Sequence, residues 1–130
     1  MVERTSTQGF DETMRALVDA IEQRGLTIFA LIDHAAGARE AGLELEDEQV
    51  ILFGNPRAGT PLMQADRRVG IELPLRVLVW LEGATVHVGY DDPRELAGRY
   101  DVEANRPTLV EMAALLEALA AAATGPRLVT

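Results

Sequence analysis

Residues 74–90, PLRVLVWLEGATVHVGY, constrain the fold more than any other stretch. Leu75, Val77, Val79 and Leu81 alternate with Arg76, Leu78, Trp80 and Glu82, and TVHVGY pairs back across Gly83 and Ala84. A period of two on both sides of a two-residue glycine turn specifies an antiparallel hairpin. The hairpin calls for a mainly antiparallel sheet, and the helical segments around it supply the backing layer.

The clearest of those segments is 11–24, DETMRALVDAIEQR, which puts Met14, Leu17, Val18 and Ile21 on one stripe, with Asp11 as N-cap and Gly25 as the stop. VERTST before it and LTIFALID (26–33) after it read as strands, so the chain opens β-α-β. HAAGAREAG predicts a short helix capped by Asp33 and ended by Gly42. The acidic ELEDE is a solvated connection into the strand QVILF (49–53). Thr60 as N-cap and Pro61 at the first helical position predict another short helix through LMQAD, and DDPREL supplies an N-cap and proline start for a third. Residues 107–123 form a long alanine-rich amphipathic helix stopped by Gly125, with Leu109, Met112, Leu116 and Leu119 on its buried face. The expected fold class is α+β: one domain over residues 1–130, about five strands, a mainly antiparallel sheet backed by helices, and short helical insertions.

Composition excludes several function classes. With 130 residues, 48% of them hydrophobic, the chain reads as an ordinary soluble globule. No apolar run reaches the length of a membrane span and MVERTSTQGF has no apolar leader core, so no membrane role is expected and the cytoplasm is the default compartment. There is no cysteine, hence no disulfide, thiolate ligand or thiol nucleophile. All 12 basic residues are arginine, which removes lysine Schiff-base chemistry and a phosphate-loop ammonium. Ser6 is the only serine and lies in no nucleophile-elbow context. A net charge of -9 opposes nucleic-acid binding. No cofactor or metal is expected: His34 has no second histidine at ligand spacing, and Glu44, Glu46, Asp47 and Glu48 lack the ligand spacing of a calcium loop.

The candidate site is GNPRAGTP, residues 54–61, at the exit of QVILF. It nearly matches a nucleotide-phosphate loop, but Thr60 and Pro61 stand where lysine and the magnesium-binding hydroxyl belong, and Pro56 and Pro61 each remove an N–H donor. What remains is a weaker cradle in which Arg57 pairs with an anion and Asn55 hydrogen-bonds a polar group, set against plain turn and cap chemistry. His34, at a strand-to-helix junction, is a candidate acid, base or ligand group, or a structural anchor for the loop. His87 reads as a cross-strand residue, and Asp92 before Pro93 as an N-cap.

From Phe29 to Pro93 the chain resembles the domain-of-unknown-function family 302, with the similarity covering about residues 10–102. FGNPRAGTPLM, LPLRVLVW and GYDDP carry it most specifically. The resemblance implies a small bacterial or archaeal protein with a β-α-β4-α core, similar in topology to one half of the TATA-box-binding protein, and a homodimer. It implies no reaction, and a shared fold does not imply DNA binding. His34, Asn55, Pro56, Gly59, Thr60, Pro74, Tyr90 and Pro93 match its recurring positions, whereas LEGAT after Trp80 departs from the longer acidic turn of the family.

The leading expectation is a homodimeric domain that binds a small polar or anionic ligand through His34, Asn55, Arg57, Gly59 and Thr60. One alternative is an enzyme using His34 as general acid or base with Tyr90. The other is a homodimeric interaction module with no ligand.

Overall fold

The computed structural model describes residues 1–125. Strand β1 (Val2–Thr5) leads into helix α1 (Phe10–Gln23), then β2 (Thr27–Asp33), α2 (His34–Glu40), β3 (Glu48–Gly54), α3 (Pro56–Ala65) and a 3₁₀ segment over Arg67–Glu72. The hairpin β4 (Leu75–Glu82) and β5 (Thr85–Tyr90) follows, then 3₁₀ turns at Pro93–Gly98 and Glu103–Asn105, and α4 (Arg106–Thr124). Without α2, α3 and the 3₁₀ turns, this is the β-α-β4-α order.

The five strands lie in the order β1-β5-β4-β3-β2, every neighbouring pair antiparallel. The hairpin turns at Gly83, whose φ of 65° suits a glycine, with Glu82 paired to Thr85. Glu46 accepts a hydrogen bond from the Gly83 amide, so one acid of the connection fastens this turn instead of merely facing water.

Strand alternation sends Ile51, Phe53, Val77, Val79, Val86 and Val88 to one face, where they bury against Leu17 and Ile21 of α1 and Leu116 and Leu119 of α4. A second cluster, Leu62, Val69, Leu96, Val102, Leu109 and Met112, joins α3 and the 3₁₀ turns to the first half of α4. The opposite sheet face carries Val50, Leu52, Leu78 and Trp80, with Trp80 stacked on His87 at a centroid separation of 5.1 Å. Among the described residues, α4 with the turn before it is the one helix long and apolar enough to cross a membrane, but Leu109, Met112, Leu116, Leu119 and Ala123 of that helix are in the core.

Two helix starts differ from the sequence expectation. Helix α1 is capped by Gly9, not Asp11, and the Gly9 carbonyl accepts both the amide and the hydroxyl of Thr13. Asp11 falls instead in the first turn, where its charge complements the helix dipole. Helix α3 begins at Pro56 with Asn55 as cap, so Thr60 and Pro61 lie inside it. An interior proline is tolerated here because Arg57, whose carbonyl would pair with residue 61 in an unbroken helix, is exposed to water.

Candidate functional site

The loop expected to hold a ligand borders a cavity of about 350 Å³. The cavity lies off the end of the sheet where β2 begins, β3 ends and β4 begins. Gly54, Leu52 and Leu75 come from the strand ends, and Leu26 and Phe29 from the start of β2. Gly59, Thr60 and Met63 of α3 line one side, Met112 and Leu115 of α4 another, and Gly70, Leu73 and Pro74 close it.

Local backbone features shape this opening. Phe29 occupies a register irregularity between Ile28 and Ala30 of β2. Its ring approaches Gly54, where a Cβ would lie 3.9 Å from Phe29 Cε2 and 3.7 Å from Pro74 Cβ. Gly59 is helical, and a Cβ there would meet only Leu73 Cδ1, at 3.6 Å. Both glycines therefore widen the cavity without being required by the backbone.

No ionisable side chain lines the cavity. Its polar side chains belong to Asn55, the cap of α3, and Thr60 inside that helix. Asn55 Oδ1 already accepts the Arg57 amide at 3.0 Å as the cap of α3, which leaves the Asn55 amide nitrogen as a donor. The cap is the turn chemistry anticipated for this residue; the apolar wall opposite it is not visible in any local pattern.

The expected site residues are only partly brought together. Asn55, Gly59 and Thr60 line the cavity, and Arg57 lies between the lining residues Pro56 and Ala58 with its side chain toward solvent. His34 does not join them. Asp33 pairs with Gln49 at one end of β3, while the loop leaves β3 at Gly54, five residues and roughly 17 Å further along the strand. His34 is exposed at the start of α2 and anchors no part of the loop.

The His34 and Tyr90 pair is also not assembled. Ile32, Val50, Leu78 and Gly89 form one row across four strands, so His34 and Tyr90 are separated by three strand spacings, about 14 Å, before their opposite offsets are added. Tyr90 is buried beside α4, and that burial, with the charges of Glu117 and Asp92, raises its pKa and keeps the phenol protonated through neutral pH. Its neighbour Asp92 caps the following 3₁₀ turn, and its hydrogen bonds with the Arg94 side chain hold its carboxyl below the usual range. Among the described residues, no group of three or more histidine, cysteine or carboxylate side chains is placed to hold a metal.

Residues 2–123 match the family model described as "Domain of unknown function DUF302", beyond the stretch quoted above in both directions. A crystal structure of an uncharacterized conserved DUF302 protein from Bacillus stearothermophilus superposes with a TM-score of 0.82 at 21% identity, covering 92% of this chain and 94% of that one. The chain is 41% identical over 92 residues to "Fluoride-specific ion channel FluC 1" of Brucella suis biovar 1 (strain 1330) and to the protein of the same name from Brucella abortus biovar 1 (strain 9-941). Those alignments cover 70% of this chain but only 36% and 34% of the two relatives, so it spans about a third of their length.

Proposed function

This chain belongs to the DUF302 family, and from that premise we propose that it is a small-molecule-binding domain whose site is the cavity beside residues 54–61. The carrying observation is a ligand-sized cavity whose walls are almost wholly carbon and sulfur. This moves the reading from a polar or anionic ligand held by His34 and Arg57 to one that is mostly apolar, with a polar end at Asn55 and Thr60. An ionised group placed deep inside would meet no counter-charge.

The test is a titration with phenylnaphthylamine, an uncharged fluorescent probe of apolar sites. Gly59→Leu fills the cavity and should weaken binding at least about tenfold, equivalent to ~1.4 kcal/mol. His34→Ala should leave it unchanged. Absence of a saturable signal, or equal binding to Gly59→Leu, would defeat the proposal.

The Brucella relatives bear on this reading through their names. A conducting protein needs a path across the bilayer, whereas α4 of this chain commits its apolar face to the core. We propose that the shared third is a binding module and not the conducting path. Fluoride efflux from liposomes carrying this chain alone would contradict that.

A second reading is carried by the uncovered sheet face. Val50, Leu52, Leu78 and Trp80 lie there beside the exposed Ile32 of the edge strand β2. A homodimer that buries this face would take its apolar surface out of water. Sedimentation should then show a dimer that Ile32→Glu dissociates; a monomer at micromolar concentration would count against it.

A further inference from the structure

We infer that the occupant of the cavity is a single-chain amphiphile with an acidic head group, of the medium-chain fatty-acid type, its chain inside and its head at Arg57. The inference rests on the binding reading above and adds the chemistry of the ligand.

The inside of the cavity selects a chain. Leu26, Leu52, Leu73, Leu75, Met63 and Leu115 offer no partner for a polar substituent. A ligand with several hydrogen-bonding groups would lose them to desolvation on entry, whereas methylenes gain at each step. At about 350 Å³ the volume is near the lower end for ligand pockets and suits one chain better than a polycyclic body. Half-exposed Phe29 extends the apolar surface to the entrance.

The rim selects an acid. Seven arginines lie between residues 57 and 106. Arg68, Arg76, Arg94, Arg99 and Arg106 are each paired with a carboxylate. Arg57 and Arg67 have no such partner among the described residues, and of the two it is Arg57 that is flanked in sequence by cavity-lining residues, Pro56 and Ala58. The planar fork of Arg57 matches a carboxylate, and the Asn55 amide at the cap of α3 and the Thr60 hydroxyl within that helix line the cavity and complete the head-group contacts.

The test is calorimetric titration of hexanoate, octanoate and decanoate, below their self-assembly concentrations, against the matching alcohols. The proteins are the full chain and its Arg57→Ala, Arg57→Lys and Gly59→Leu variants. Affinity should rise about fourfold per added methylene in both series. Each acid should bind more tightly than its alcohol. Arg57→Ala should abolish that advantage and Arg57→Lys retain part of it, while Gly59→Leu weakens both series. A flat dependence on chain length, or an acid advantage that survives Arg57→Ala, overturns the inference. Should phenylnaphthylamine bind while the acids fail, the inference falls and the binding reading stands; if nothing binds, both fall.

Discussion

Gly59 faces Leu73 across the cavity, and a methyl group built on Gly59 would touch Leu73 Cδ1 at 3.6 Å, an ordinary van der Waals contact. Helical glycine is costly because it loses more backbone freedom on folding than alanine. Gly59→Ala should therefore stabilise the unliganded protein by about 0.5–1 kcal/mol while narrowing the cavity. Urea unfolding with and without ligand separates the two effects: greater stability without ligand, and a smaller ligand-induced gain. A destabilised variant would mean that the methyl collides with something the geometry does not show.

Asp66 holds together two segments far apart in sequence. Its carboxylate caps the 3₁₀ segment through the Arg68 amide at 3.0 Å and accepts the Asp101 amide at 3.0 Å. The Arg68 side chain and these amides push its pKa well below the ordinary carboxylate value. A depressed folded-state pKa contributes stability above the unfolded-state value of about 4 and loses it as pH falls toward the folded one. Asp66→Ala should thus be less stable than wild type at pH 7, and the gap should narrow progressively below about pH 4. A gap of constant size from pH 7 to pH 3 would show that the charge is not responsible.

The single tryptophan reports on the open sheet face. A Cβ on Gly89 would lie 3.0 Å from Trp80 Cζ3 and 2.7 Å from Met1 Sδ, so the indole lies across the glycine that faces it. Gly89→Ala should displace Trp80 from its stack on His87, alter its emission and cost about 1–3 kcal/mol by overpacking. Unchanged emission would place the indole elsewhere.

The hairpin was legible because its alternation and its turn residue agree, and both are local. So were the core positions Leu109, Met112, Leu116 and Leu119, spaced at helical period and buried in α4. The start of α3 is ambiguous in the sequence because threonine followed by proline at 60–61 is a strong start signal, whereas Asn55 and Pro56 supply the same signal five residues earlier. The site was legible only as a loop. Residues 54–61 stand out by their glycines and prolines, but the wall facing them comes from Leu26, Phe29 and Met112, which no sequence spacing links to that segment. His34 is a neighbour of the loop in motif order and distant from it in space, because β3 runs between them for its full length.

The methionines offer the most direct measurement of whether the cavity binds a chain. Met63 and Met112 line it, whereas Met14 lies in the main core and Met1 over Gly89. In a spectrum of carbon-13-labelled methionine methyl groups titrated with decanoate, Met63 and Met112 should show saturable shifts, with Met1 and Met14 unmoved. Shifts confined to Met1 or Met14, or none at saturating ligand, would contradict it.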